Sequence, residues 1–352
     1  MLFVDKHRPT TLGKLDFNEQ LTQRLQGLAA DGDLPHLIVY GPSGAGKKTR
    51  INALLREMYG SAVERRRLDH RSFKTPSNRT VELTTIASNY HIEMNASDAG
   101  IYDRIVIQDI IKEIAQSNPL HTQEGAKSFK VVLLMEVDRL TRQAQAALRR
   151  TMEKYTSSCR LILYCTNPSK VIEPVRSRCL GIRVAAPTED EVCGVLANVA
   201  RKEKLTMPPE LALRIAKLSG RNVRRALLML EATKVQQYPF TVDQTVQLPD
   251  WELYIATLAQ EMTTDQSPQK LIKAREMLYE LLTNCIPADV IMKTLTRELC
   301  KSLDDQLKHE VAHWAAFYEH RIVIGSKEIF HLEAFVAKFM SLYKQFLVNL
   351  FM

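Results

Sequence analysis

The run His36-Leu37-Ile38-Val39-Tyr40-Gly41-Pro42-Ser43-Gly44-Ala45-Gly46-Lys47-Lys48-Thr49 decides the fold. Its first five residues form a short apolar stretch that stops at a glycine loop. That is the pattern of a strand buried on both faces of a parallel sheet. The glycines let the chain curl so that successive N–H groups surround one anion. The helix predicted to begin at the end of the loop adds its dipole at the same point. Lys47 supplies a point charge for β- and γ-phosphates. Gly41, Pro42, Ser43, Gly44, Ala45, Gly46, Lys47, Lys48 and Thr49 are therefore expected to grip the phosphates of a nucleotide, ATP or ADP.

One position departs from this pattern. A hydroxyl is expected directly after the lysine, to hold Mg2+. This chain has Lys48 there and Thr49 one step later. One residue along a helix turns a side chain by about 100°, so Thr49 does not take over without local rearrangement. A second ammonium beside the phosphates would assist binding and repel a metal. The run Val131-Val132-Leu133-Leu134-Met135-Glu136-Val137-Asp138 departs in the same sense. In related ATPases such a strand ends in two acids, one for the metal and one to activate water. Here Glu136 takes the second place and Met135 the first, and a thioether is a poor ligand for Mg2+. Glu136 is the candidate for water activation, and Asp138 is the remaining candidate near a metal. The competing reading is that both acids open the next helix, where acids are favoured. A further strand, residues 160–165, runs into Thr166-Asn167. Their polar groups either meet the γ-phosphate or attacking water or cap a turn.

Outward from these runs, residues 90–94 and 180–184 complete five candidate strands, and helices are predicted over 106–116 and 141–155. In the second helix Leu140, Ala144, Leu148 and Met152 share one face, while Arg142, Gln145, Arg149 and Glu153 point away. Strand–helix alternation argues for a parallel sheet covered on both sides. The polar stretch 65–85 interrupts it and reads as a surface hairpin. After Pro187 the strand signals stop. Residues 188–204, 208–219 and 222–236 read as three helices. Thr188 and Glu191 form a capping box for the first, and Gly220 ends the second. A linker over 238–250 carries Pro239 and Pro249, and the pattern beyond is helical. From Leu332 through Phe335, Phe339, Tyr343 and Phe346 to Leu350 it shows a wide apolar face, either core or subunit interface.

The 352 residues suit two or three domains. A net charge of +8 favours a polyanionic partner such as DNA, or simply keeps the chain soluble. No apolar run is long enough to cross a bilayer, and the charged opening lacks the apolar core of a signal peptide. The 6 cysteines are scattered without a CxxC pair, so zinc is not expected and reduced thiols are.

With these residues assembled, the chain resembles the small subunits of eukaryotic replication factor C, the sliding-clamp loader of the AAA+ family. The resemblance runs the whole length. Val4-Asp5-Lys6-His7-Arg8-Pro9 is similar to the family's opening segment. It is joined by Asn95-Ala96-Ser97-Asp98, by Ala146-Ala147-Leu148-Arg149-Arg150-Thr151-Met152-Glu153, by Ser177-Arg178-Cys179 and by Gly220-Arg221-Asn222-Val223-Arg224-Arg225. The GKKT loop and weakened acids are similar to the class with an atypical ATP site. The resemblance implies an α/β AAA+ domain over 1–186, a parallel sheet with helices on both faces. A three-helix lid over 187–238 and an all-α collar domain for oligomerisation over 239–352 would follow.

It also implies roles that spacing alone does not assign. Val4, Arg8 and Pro9 would lie near the adenine, and Arg224 would reach the γ-phosphate from the lid. Arg178 would enter a neighbouring subunit's site as an arginine finger. Thr166, with Asn167 beside it, falls where the family usually places a sensor asparagine. The implied partners are the other subunits of a heteropentamer, the PCNA sliding clamp, and primer–template DNA gripped through its backbone. The resemblance also implies a nuclear location and no membrane partner. Arg104 and Lys112 are candidates for DNA contact, or belong to a solvated helix face.

The expected activity is ATP-driven opening of PCNA and its placement on primed DNA. This chain would bind nucleotide with little or no hydrolysis of its own. A competent ATPase, with Mg2+ held by water and phosphates alone, is the nearest alternative. A fully active ATPase of an origin-binding or helicase-type complex would need a DNA-reading domain or an aromatic pore loop. A small-molecule kinase would need a substrate pocket and lid.

Overall fold

In the computed structural model, which describes residues 1–74, 80–116, 129–156 and 158–351, a helical turn α1 (Phe3–Lys6) and α2 (Glu19–Ala30) precede β1 (Leu37–Tyr40) and α3 (Lys47–Tyr59). Then come β2 (Arg67–Lys74), β3 (Thr80–Ala87), β4 (His91–Met94), α4 (Asp103–Gln116), β5 (Lys130–Leu134), α5 (Arg142–Lys154), β6 (Cys159–Cys165), the short α6 (Glu173–Arg176) and β7 (Leu180–Arg183). The strands form one 7-stranded sheet in the order β2-β3-β4-β5-β6-β1-β7. The five strands expected from the sequence are all present, and they pair in parallel as β4-β5-β6-β1-β7. In the stretch 65–85, β2 runs antiparallel to β3, and β3 antiparallel to β4, so its described residues extend the sheet at one edge; residues 75–79, which would join β2 to β3, lie outside the described residues.

The reason the central strands are apolar throughout is that each face has its own cover. Ile38, Val132, Leu134, Leu161 and Leu163 pack on one side with Ile107 and Ile110 of α4 and Leu148 and Met152 of α5. Leu37, Val39, Val131, Leu133 and Ile162 turn to the other side and meet Leu25 of α2 and Leu54 and Leu55 of α3. Successive residues of a strand point to opposite faces, so a doubly covered strand has no place for polar residues.

The face assigned to α5 needs one correction. Gln145 was expected to point away; it is buried, at 1% exposure. Its side-chain amide donates to the carbonyls of Val137 (3.4 Å), Leu140 (3.1 Å) and Lys170 (3.3 Å), and its carbonyl accepts the Ile172 N–H at 2.8 Å. One side chain thus supplies the loops at the ends of β5 and β6 with partners that no secondary structure provides. Asp103 does similar work at the start of α4. It accepts N–H groups from Arg104 and Thr141 (both 2.7 Å) and the Thr141 hydroxyl (3.0 Å).

Three helices follow: α7 (Glu189–Lys202), α8 (Pro209–Leu218) and α9 (Val223–Gln236). The capping box at Thr188 and Glu191 is formed, with both reciprocal bonds present. These helices belong to the first of two compact units, Met1–Val246. The second unit, Gln247–Met352, holds α10 (Asp250–Thr264), α11 (Pro268–Thr283), α12 (Ala288–Ser302), α13 (Asp305–Ile324) and α14 (Glu328–Phe351). Along α14, Leu332, Phe335, Val336 and Phe339 are buried in that unit's own core, and Tyr343 and Phe346 pack against it. The apolar face read from the sequence is therefore core over this length. The side chain of Leu350 lies outside the described residues. No described helix is long and apolar enough to cross a membrane.

The placement of Gln145 has a measurable cost when removed. Gln145→Leu leaves several buried backbone groups unpaired, each worth about 1–3 kcal/mol, so urea denaturation followed by circular dichroism should show a loss of at least about 2 kcal/mol. Arg142→Ala, on the exposed side of the same helix, should stay within about 0.5 kcal/mol of the parent.

Candidate functional site

The loop after β1 is shaped by what surrounds its glycines. A Cβ on Gly41 would stand 2.0 Å from the carbonyl oxygen of Val184, which is backbone and cannot yield. A Cβ on Gly44 would stand 1.7 Å from Oδ1 of Asn222. Asn222 is the N-cap of α9 and accepts the Arg225 N–H at 3.1 Å. The loop and the last of the three helices therefore touch through a position where only hydrogen fits.

Lys47 opens α3 and is almost fully buried, at 2% exposure. Its ammonium donates to the carbonyls of Gly41 (2.6 Å) and Pro42 (2.8 Å) and lies 4.8 Å from the Tyr164 ring centroid. Burial, the largest influence, pulls its pKa below the ordinary lysine value; Cys165 and Asp138 oppose this and Arg224 adds to it. One turn on, Arg50 is buried at 1% exposure. It donates to the Thr22 hydroxyl (3.0 Å) and the Phe17 carbonyl (2.6 Å), and burial brings its pKa down to about 10. Arg50 ties the segment around Phe17 to α3, and Phe17 forms part of the wall of the cavity that the loop faces.

That cavity has a volume of about 610 Å3. Among the residues proposed from the sequence it brings together Val4, Arg8, Pro9, Gly44, Gly46, Lys47, Lys48, Thr49 and Arg224. Its charge is lopsided: Lys6, Arg8, Lys14, Lys47, Lys48, Lys202 and Arg224 line it, against the single carboxylate of Asp16. Such a wall suits a polyanion. Tyr164, Phe17, Lys14, Asn198 and Lys202 were not singled out in the sequence. Tyr164 sits in an apolar strand, and the others lie in segments without a phosphate-binding signature.

One wall is held by the start of the chain. The Phe3 N–H donates to Glu231 of α9 at 3.0 Å, and Lys234 stands 5.0 Å from the Phe3 ring centroid. Lys6 (2.6 Å) and His7 (2.5 Å) both reach Glu203, just past the end of α7. Lys6 first, and His7 after it, hold the Glu203 carboxyl below its ordinary pKa. The segment 3–7 is thereby strapped to the three-helix layer on the side where Val4 and Arg8 meet the cavity.

Other proposed residues lie apart from the cavity lining. Gly41, Pro42, Ser43 and Ala45 make the loop without lining the cavity. Glu136 adopts a left-handed backbone (φ 51°) and pairs with Arg139 at 3.3 Å. One carboxylate oxygen of Asp138 accepts the N–H groups of Thr166 and Asn167, both at 3.0 Å, and so ties the segment after β5 to the segment after β6. Arg178 points elsewhere. Its Nε and Nη2 bind Glu153 at 2.9 and 2.6 Å, and its Nη1 donates to the Pro174 carbonyl at 2.7 Å. This planar fork is half-exposed and preset.

The residues around the loop do not fit a resident Mg2+, which demands oxygen ligands in near-octahedral order. Lys48, in the hydroxyl position, makes an ion pair with Glu93 of β4. Met135, in the carboxylate position, offers sulfur. Asp138 is engaged by backbone amides.

Comparison with known proteins agrees along the whole chain. The family described as "Replication factor C subunit 3, C-terminal domain" matches residues 251–347. "RCF1/5-like, AAA+ ATPase lid domain" matches 194–235, and "DNA polymerase III, delta subunit" matches 17–188. The chain is 58% identical to replication factor C subunit 3 of Bos taurus over 346 residues, 98% of this chain and 97% of that one. It is 52% identical to replication factor C subunit 3 of Arabidopsis thaliana over 354 residues, all of both chains. It is 45% identical to replication factor C subunit 5 of Schizosaccharomyces pombe, over 97% of each. Among solved structures, the Holliday junction branch migration motor RuvB of Thermotoga maritima shares the fold, with a TM-score of 0.53 and 15% identity over 84% of this chain and 91% of that one.

The contact between Gly44 and Asn222 gives a direct test of the cavity. Gly44→Ala must displace Asn222 and with it the start of α9. A fluorescent ADP analogue should bind the variant at least ten-fold more weakly in a direct titration, with the circular dichroism spectrum unchanged.

Proposed function

The chain belongs to the family of replication factor C subunits 3 and 5 and is a clamp-loader subunit of AAA+ fold; on that premise we propose that it holds ATP or ADP in the cavity beneath α9 and hydrolyses it slowly or not at all. The observation that carries the nucleotide reading is the meeting of Lys47 and Arg224 in one cationic cavity. Phosphates lie on the amides of the loop 41–47 and on the Lys47 ammonium, which trades its two carbonyl partners for phosphate oxygens. Arg224 approaches from the lid. The base sits toward Val4, Arg8 and Pro9.

Slow chemistry follows from the residues that would perform it. Glu136, the one candidate to take a proton from water, has its carboxylate on Arg139 and is absent from the cavity wall. A general base must come within hydrogen-bond reach of the proton it removes. The role of the subunit is then structural and electrostatic. It keeps nucleotide in place and offers Arg178 to the ATP site of a neighbouring subunit, where a guanidinium stabilises charge on the transferring phosphoryl group. Glu153 and the Pro174 carbonyl aim that guanidinium before the neighbour arrives. The assembled loader opens PCNA and sets it on primer–template DNA in the nucleus. Arg104 and Lys112 of α4, both exposed, are suited to phosphate contacts that carry no sequence preference. The division 1–186, 187–238 and 239–352 remains our working assignment of base, lid and collar.

Two substitutions separate these roles. Lys47→Ala should reduce occupancy of this subunit by nucleotide at least ten-fold in equilibrium dialysis; unchanged occupancy would remove the basis of the reading. Arg178→Ala should leave nucleotide binding here intact and lower DNA-stimulated phosphate release by the assembled complex several-fold. Equal turnover would refute a role in trans.

A further inference from the structure

We propose that nucleotide is held here without a divalent metal, and that the Lys48–Glu93 ion pair makes it so by closing the place a metal would occupy. The inference rests on the nucleotide reading above and concerns how that site neutralises charge.

The argument starts from neighbouring strands. Glu93 pairs in register with Leu133, and the N–H of Met135 donates to the Met94 carbonyl at 2.9 Å. Glu93 therefore lies diagonally across from Met135 on the same face of the sheet, one residue before the end of β4, while Met135 directly follows β5. The carboxylate that β5 lacks at Met135 is present one strand away at Glu93. It is not free to hold a metal. Its side chain is 6% exposed and is joined to the Lys48 ammonium, which comes from the first turn of α3. Its second oxygen, Oε2, is buried and without a hydrogen-bond partner among the described residues. A carboxylate so enclosed must keep a compensating cation. Lys48 supplies that cation permanently, as a covalent part of the chain.

The consequence is twofold. A dication arriving beside the phosphates would meet an ammonium at the position of the usual hydroxyl, a thioether at the position of the usual carboxylate, and a Glu93 already neutralised. The phosphates do not need the dication, because Lys47, Lys14 and Arg224 line the same cavity and supply positive charge directly. Glu93 acts through Lys48 and is a positioning residue. Its carboxylate draws the ammonium toward β4, so that Lys48 fills the metal position instead of extending along the phosphates.

The test is the affinity of the purified full chain for a fluorescent ADP or ATP analogue, titrated with Mg2+ in large excess over nucleotide and again in a chelator. The two dissociation constants should agree within about two-fold. Lys48→Thr restores a hydroxyl and frees Glu93, and Mg2+ should then tighten binding at least five-fold. Lys48→Thr/Glu93→Gln provides the same hydroxyl without an uncompensated buried carboxylate; it should fold where the single variant does not, and should also become metal-sensitive. A ten-fold or greater loss of affinity by the parent chain on chelation would overturn metal independence while leaving the nucleotide reading intact. Metal insensitivity in both variants would overturn the role of Lys48. A parent chain that binds no nucleotide in either buffer would overturn the function proposed above, and this inference with it.

Discussion

A buried ammonium that folds back onto its own loop is the constraint from which the site follows. Lys47 bonds the carbonyls of Gly41 and Pro42 and so closes the loop onto the first turn of α3. A charge at 2% exposure needs such partners, since burial without them is prohibitive. The loop can hold this curl because β1 delivers it at the centre of a doubly covered sheet and α3 carries it away. The close approach of Asn222 then couples the loop to α9, so the geometry of a nine-residue motif is transmitted to the helix that brings Arg224.

Much of this could be read from residue order. Buried strands declare themselves as apolar runs, and the phosphate loop carries its own glycines. The stretch 65–85 was legible as an interruption, and the structure shows that its described residues extend the sheet. Gln145 was misread because helical periodicity treats glutamine as a surface residue. Its amide is drawn inward by unpaired carbonyls at Val137, Leu140 and Lys170, and no pattern along α5 reports those. The Lys48–Glu93 pair lay beyond reach for a related reason. The oddity of Lys48 was visible, but its partner is on another strand, and Glu93 in isolation looks like an ordinary acid in a short apolar run.

The two departures in the sequence, Lys48 and Met135, act in the same sense. Each replaces an oxygen ligand with a group that does not bind Mg2+, and Glu93, which pairs with Lys48, stands on the strand beside the one that ends at Met135. Glu136 fits the same picture. It has a left-handed backbone, pairs with Arg139 and is not among the residues lining the cavity. Meanwhile the surface that would serve a neighbour is well formed, with Arg178 held by Glu153 and a carbonyl. Under the proposed function, the chain would have relaxed the demands of its own chemistry while keeping what an adjoining subunit requires.

The strap at the start of the chain has a consequence for time. Lys6 and His7 fasten the first turn to Glu203, and Glu203 is not itself part of the cavity wall. A ligand leaving on that side must loosen ion pairs of which it meets the cations, Lys6 and His7, and not the carboxylate. Dissolved ions screen the Lys6 side of this strap, where the side chain is 51% exposed; His7 and Glu203, at 10% and 12%, are screened much less. A nucleotide held in this cavity would therefore leave more readily as ionic strength rises, through the Lys6 pair as well as through the cations that meet its phosphates.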